Sequence, residues 1–343
     1  YCTLPDSCYN LYEYSSEIGI DKKEAKKIIE TTGIKNIRVC KKNQLSSDLC
    51  YDAAKKILQS LSKDEVDKID AIIYVSQTRD YIMPQTSNIL QNKLNLKTDI
   101  ICLDIPLGCS GYVYGLFQSN LFIDAGCRKV LLLAGDTSSK MISKNDKTVS
   151  MVFGDAGSAT LIDSKKSKSY FDIGNDGKRY KDLIIYDGGF RNPYSSLSIK
   201  KKKIGDGIIR CNSDLFMDGF EIMNFAIKRV PKSIKNLLNS CDIDQSSVNL
   251  FFLHQANKFM LSYLSKKMKI DSKKVPFLAA DYGNTGPASI PLAICEYLNN
   301  SEFKYKKQNI ILSGFGVGLS WASSLLEINN RLKTNLNFTK KEN

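Results

Sequence analysis

Apolar residues along this chain fall into short unbroken runs separated by amphipathic stretches. Ala71–Val75 is a continuous apolar strand, and Pro84 then opens a helix expected to run to about Leu94. Asp99–Asp104 is the next expected strand. From Ser110 to Gly126 the apolar positions Val113, Leu116, Phe117, Leu121 and Phe122 share one helical face, and Gly126 is a natural stop. Val130–Ala134 is another buried strand. The later half repeats the style, with a helix over about Asp218–Ser240, a strand over Val248–His254, and helices over Gln255–Lys269 and Ala288–Asn299. Asn309–Leu312 and Leu319–Leu326 are closing strands. Short all-apolar strands separated by helices indicate an α/β chain with a mostly parallel sheet covered on both faces. Residues 164–210 are polar, rich in Gly and Lys, and read as an irregular insertion. The tail from Asn329 onward reads as frayed or surface-lying.

With 343 residues, 43% of them hydrophobic, the chain is long enough for two core-forming units. No apolar run approaches the roughly 20 residues of a membrane span, so none is expected. Tyr1–Pro5 lacks a basic region followed by an apolar one, so no signal peptide is expected, and without an initiator Met the natural N-terminus is expected to be missing or trimmed. Ten cysteines are scattered with no C-x-x-C pair, the usage of reduced thiols in the cytoplasm. One histidine and no paired cysteines argue against a metal site. The net charge of +13 includes Lys200–Lys203, Lys266, Lys267, Lys273 and Lys274, and suits either a solvated lysine-rich face or an acidic partner. No helix-turn-helix, zinc-finger or RNA-binding motif accompanies it, which disfavours nucleic acid.

Three turns carry candidate chemistry. The only histidine, His254, ends an apolar strand in Phe-Leu-His-Gln-Ala-Asn-Lys (252–258). Cys109 sits in a strand-to-helix turn between Gly108 and Gly111, where helix N-terminal amides favour a thiolate. Asn284 lies in the turn Gly283-Asn284-Thr285-Gly286-Pro287. A neutral imidazole and a carboxamide N–H₂ can both donate to one developing oxyanion, which suits enolate stabilisation better than proton abstraction. Gly314-Phe-Gly-Val-Gly318 lacks dinucleotide-fingerprint spacing and precedes a strand; it is better read as a turn offering a backbone N–H. Papain-like hydrolases share the order Cys, His, Asn and a similar spacing, but their cysteine context and strand pattern are absent here.

Gly-Cys-Ser-Gly (108–111), Phe-Gly-Asp-Ala-Gly-Ser-Ala (153–159), His-Gln-Ala-Asn (254–257), Gly-Asn-Thr-Gly-Pro-Ala-Ser-Ile-Pro (283–291) and Gly-Phe-Gly-Val-Gly-Leu-Ser-Trp (314–321) together resemble β-ketoacyl-acyl-carrier-protein synthase III. Thr32-Gly33-Ile34 is similar to that family's N-terminal Thr-Gly-Ile, so the resemblance runs from about residue 20 to 327. It implies a thiolase-like five-layered αβαβα fold built from two similar halves, 1–165 carrying the cysteine and 166–330 carrying His and Asn, with a polar tail at 331–343. It also implies a cytoplasmic homodimer without a cofactor of its own, using acyl and malonyl thioesters on coenzyme A or on the phosphopantetheine arm of acyl carrier protein. Cys109 would take the acyl group, and His254 and Asn284 would hold the malonyl thioester oxygen during decarboxylation. The backbone N–H groups of Cys109 and Val317 would form a second oxyanion hole. Asn257 and Lys147 would bind the carrier arm, Met83 would wall the acyl pocket across the dimer, and Lys266 and Lys267 would dock the acidic carrier protein.

Departures from the family concern the donor. The Trp and Arg before Thr-Gly-Ile are Lys27 and Thr31, and an arginine after His-Gln-Ala-Asn is Phe259. Losing a stacking platform and a forked donor weakens coenzyme A binding, so the primer is expected on a carrier protein. Hydroxymethylglutaryl-type condensation needs a Glu where Gln77 stands. The alternative function is acyl transfer to an alcohol or amine without decarboxylation, in glycan or secondary metabolism. A non-catalytic scaffold fits poorly with intact Cys, His and Asn.

Overall fold

The computed structural model describes residues 1–164, 168–300, 307–329 and 332–339. The boundary expected at 165/166 and the tail's last residues lie outside these ranges. Ten strands build two central sheets: β1 Cys2–Leu4, β2 Ile69–Val75, β3 Ile101–Ile105, β4 Lys129–Asp136, β5 Ala156–Asp163, β6 Ser169–Asn175, β7 Leu250–Leu253, β8 Gln308–Gly316, β9 Ser320–Ile328 and β10 Leu336–Phe338. The six-stranded sheet has the order β10-β1-β5-β4-β2-β3, and the four-stranded sheet the order β7-β8-β9-β6. Six helices flank them: α1 Ser46–Gln59, α2 Thr86–Lys93, α3 Gly111–Asp124, α4 Gly219–Ser240, α5 Lys258–Lys267 and α6 Ser289–Asn300.

The elements stack as five layers. Helices α1 and α2 cover the outer face of the larger sheet, α3 and α6 lie between the sheets, and α4 with α5 covers the outer face of the smaller one. Period-two alternation assigns the strand residues to these layers. Ala71, Ile73 and Val75 of β2 pack in the central core, whereas Ile72 and Tyr74 pack under α1 and α2; Ile69 joins the latter because the register shifts between Ile69 and Ala71. In β7, Leu250 and Phe252 face the centre and Phe251 and Leu253 face α4 and α5. Both faces being buried, the strands carry unbroken apolar runs.

Both sheets are mixed, which corrects the expectation of a mostly parallel one. Pairs β2–β3, β2–β4, β7–β8 and β1–β10 are parallel, but β4–β5, β1–β5, β8–β9 and β6–β9 are antiparallel. The tight 316–320 turn lets β9 fold straight back on β8. The region read as an insertion contributes β6, which pairs with β9 from Asn175↔Ser320 to Ser169↔Leu326. The tail is not frayed throughout, because Leu336–Phe338 adds to the edge of β1. No helix among the described residues is long and apolar enough to cross a membrane.

Candidate active site

The expected catalytic residues project from the ends of three elements. Cys109 lies in the turn after β3, two residues before α3, and is half-buried. Gly314 and Gly316 of β8 let this turn approach closely: a Cβ at 316 would lie 3.0 Å from Cys109 Cβ and 3.1 Å from its Sγ, and one at 314 would lie 2.5 Å from the Cys109 carbonyl oxygen. Ser110 and Ser320 share a hydrogen bond at 2.7 Å, fastening the turn to β9. Val317 also abuts it, with Cγ1 3.2 Å from where a Gly108 Cβ would sit.

His254 continues the inward-facing series of Leu250 and Phe252, and its N–H donates to the Ser313 carbonyl at 2.8 Å. Gln255 holds the strand end in place, donating to the Leu253 and Pro276 carbonyls and accepting from the Leu278 N–H. The ring's Nδ1 lies 2.7 Å from Ser289 Oγ at the start of α6. That oxygen also accepts from the Gln255 N–H at 3.5 Å, and a hydroxyl proton given to Nδ1 would leave the ring proton on Nε2. Burial pushes the imidazole down to about 3. A neutral ring of this kind is a poor base and a ready donor.

The Phe-Gly-Asp segment fixes Asn284. Gly154 donates to the Asn284 carbonyl at 3.0 Å, and the Asn284 N–H donates to Val152 at 2.8 Å. Asn284 Oδ1 accepts from the Gly286 N–H at 3.1 Å, which leaves its N–H₂ as the group to offer a ligand. Asn257 behaves similarly, its oxygen capping α5 by accepting from the Met260 N–H at 2.8 Å.

Cys109, His254, Asn284 and Asn257 line one cavity, together with Gln77, Asp136, Ser138 and a wall of apolar side chains. Two effects oppose each other at the sulfur. Burial, reinforced by the negative Asp136, pushes the thiol up to about 12, against a smaller lowering by its own backbone N–H. Desolvation thus works against the thiolate that the helix terminus favours. The other expected residues lie elsewhere. Lys147 is held by Glu24 at 2.6 Å and Asp206 at 3.7 Å and is not among the lining residues. Met83 is 81% exposed beside exposed Tyr81 and Ile82, outside the lining. Lys266 and Lys267 are exposed on the last turn of α5.

Two buried residues escaped sequence reasoning. Ser289 stood inside the quoted Asn-Thr-Gly-Pro-Ala-Ser motif, but only the fold shows that it meets Nδ1. Asp136 ends the apolar run of β4 as His254 follows that of β7, a polar residue at the carboxyl end of a buried strand. Its Oδ1 accepts from the Ser76 hydroxyl, the Gln77 N–H, and both the N–H and hydroxyl of Thr78. Burial outweighs these bonds and raises the carboxyl to about 7.

Comparison with known proteins gives this cavity a context. The model for 3-oxoacyl-[acyl-carrier-protein] synthase III matches residues 103–177, and the model for that family's C-terminal region matches residues 238–328. A β-ketoacyl-[acyl-carrier-protein] synthase III of Clostridium tetani is 33% identical over 334 residues, spanning 92% of this chain and 96% of the relative. One from Streptococcus agalactiae is 33% identical over 305 residues, spanning 88% and 90%. The crystal structure of a 3-oxoacyl-(acyl-carrier protein) synthase from Burkholderia xenovorans superposes with a TM-score of 0.90 at 36% identity, covering 98% of this chain and 95% of the other. The architecture is thus the thiolase-like one, and the likeness runs nearly end to end. The chain belongs to the 3-oxoacyl-[acyl-carrier-protein] synthase III family of acyltransferases.

Proposed function

We propose that the cavity runs a two-stage condensation with Cys109, His254 and Asn284 as its catalytic residues. First, the Cys109 sulfur attacks an acyl thioester; the new C–S bond forms, the old one breaks, and the cysteine proton leaves with the carrier thiol. Malonyl-acyl carrier protein then enters. His254 Nε2–H and Asn284 Nδ2–H donate to its thioester oxygen as CO₂ departs, and the resulting carbanion attacks acyl-Cys109; the C–C bond forms, the acyl–Cys109 C–S bond breaks, the β-ketoacyl thioester leaves on the carrier, and the Cys109 sulfur regains a proton from solvent. The backbone N–H groups of Cys109 and Val317 receive the second oxyanion. The observation that carries this reading is the pairing, in one cavity, of a neutral imidazole with a carboxamide whose oxygen is already engaged.

The acyl donor in this reading is a carrier protein. Lys27 and Thr31 are exposed where the family stacks adenine, Phe259 is exposed where it has arginine, and the Lys147 ammonium is neutralised by two carboxylates. Lys266 and Lys267 sit on the helix whose opposite end lines the cavity, about 15 Å away along its axis, a suitable place for an acidic carrier domain. Tyr81, Ile82 and Met83 form an exposed apolar patch suited to a second copy, consistent with a homodimer. Ten free thiols suit a reducing, cytoplasmic setting.

Intact-mass analysis of wild type and Cys109→Ala with acyl- and malonyl-carrier proteins tests the scheme. The expected result is an acyl adduct on wild type alone, followed by CO₂ and a longer β-ketoacyl product. An adduct on another cysteine overturns the assignment. Product formed without malonyl consumption favours transfer to an alcohol or amine. Self-acylation from acetyl-coenzyme A as fast as from acetyl-carrier protein overturns the donor reading.

A further inference from the structure

Apart from the groups assigned above, the cavity holds one polar corner among apolar walls such as Met141, Phe153, Leu183, Leu215 and Ile222. Asp136, 1% exposed, supplies it, with Ser138 and Gln77 also on the lining. The carboxyl is anchored through one oxygen only. Oδ1 takes Ser76 Oγ and the Gln77 N–H at 2.8 Å, and the Thr78 N–H and Oγ1 at 3.2 Å, while Oδ2 is buried with no hydrogen-bond partner among the described residues. A half-turn of the carboxyl would only exchange the two oxygens, so one remains bare. Gly286, also on the lining, keeps the space in front of it open: a Cβ there would lie 2.9 Å from Oδ2. The hydroxyl of adjacent Thr285 is likewise buried and unpartnered. Polar demand at this corner exceeds what the chain supplies, and a buried polar group seeks a partner.

We propose that Asp136, with Ser138 and Gln77, forms a subsite for a hydroxyl group on the acyl chain carried by Cys109, so that the preferred primer is a short hydroxyacyl thioester. This rests on the acyl-loading reading above and deepens it. A hydroxyl both donates and accepts, so it satisfies Oδ2 whether the carboxyl is ionised or protonated. A plain alkyl chain would face the bare oxygen with hydrocarbon, and sites built to bond a hydroxyl discriminate strongly against the analogue that lacks it. The acylation itself is ordinary thioester exchange, with the Cys109 proton leaving on the released pantetheine thiol.

The test presents the full chain with butyryl-pantetheine and with 2-, 3- and 4-hydroxybutyryl-pantetheine, and follows the Cys109 adduct by intact mass. At least one hydroxyacyl probe is expected to react about tenfold or more faster than butyryl. In Asp136→Leu, which keeps about the same size and removes both oxygens, that ratio should fall toward one. Should the variant fail to fold, Ser138→Ala is expected to lower the ratio severalfold. A wild-type ratio near one for all three probes, or preference for butyryl, overturns the subsite while leaving Cys109 acylation intact. No adduct from any probe or from acyl-carrier protein overturns the acyl-loading reading itself.

Discussion

With its pKa driven down to about 3, His254 stays neutral between pH 5 and 8 and has one ring N–H to offer there. His254 should therefore give decarboxylation of malonyl-carrier protein no inflection near 6.5, and any inflection near neutrality should be that of Asp136, raised to about 7 in the same cavity, and vanish in Asp136→Asn. His254→Ala or Asn284→Ala should each lower it by roughly 10²–10³-fold, the usual cost of one oxyanion donor, while Cys109 acylation remains measurable. Ser289→Ala removes the hydroxyl that faces Nδ1. Because the chain has a single histidine, ¹⁵N spectra report its tautomer without ambiguity, and a mixed tautomer population should accompany slower decarboxylation. An unchanged spectrum would leave Ser289 with a packing role only. Cys109 follows the opposite logic: a raised thiol pKa means the reactive form grows as pH rises. Iodoacetamide labelling of the empty enzyme should climb from pH 7 to 10 without levelling off; a plateau below pH 8 would mean a resting thiolate. At this scale the sequence displayed the three side chains proposed to react, since each follows an apolar run or sits in a glycine turn. It could not display Ser289 or Asp136 as members of the site, because their meaning depends on what lies across the central layer.

The hairpin of β8 and β9 is the element on which the site's dimensions turn. Its glycines allow the Cys109 turn to lie directly against the sheet, and the space for a methyl at 316 is already taken by the sulfur. Gly316→Ala should slow Cys109 acylation by about 10²-fold, the order expected for a displacement near 1 Å, with only a modest fall in melting temperature. Equal loss of both would point to global unfolding instead. Strand assignment from sequence succeeded for β2, β4 and β7 because burial on both faces leaves unbroken apolar runs. It missed β6, where Ser-Tyr-Phe-Asp-Ile-Gly-Asn is only half-buried at a sheet edge, and the three-residue β10, which carries no local signal. The parallel-sheet expectation failed for a related reason: strand direction is decided by the connections, and an apolar run looks alike either way.

For the molecule as a whole, the net charge of +13 belongs to encounter more than to stability. Reaction with an acidic acyl-carrier protein should weaken steeply as salt rises through about 0.15 M, where the screening length is near 8 Å, while reaction with acyl-pantetheine stays nearly flat. Lys266→Glu with Lys267→Glu should raise KM for the carrier protein severalfold and leave kcat for the pantetheine substrate unaltered; unchanged KM would move docking elsewhere. The five-layer plan was legible only through family resemblance, since composition and periodicity announce helices and strands without saying which sheet each joins. One topological feature bears on how the plan is assembled. Strand β1 pairs with β5 on one side and, on the other, with β10, whose residues lie more than 300 positions further along. At a synthesis rate of about 5–20 residues per second, that second edge stays bare on the ribosome for roughly 15–65 s after β1 emerges. The nascent chain thus carries an unfinished sheet edge through most of its synthesis, an interval in which holdase chaperones have a defined strand to shield.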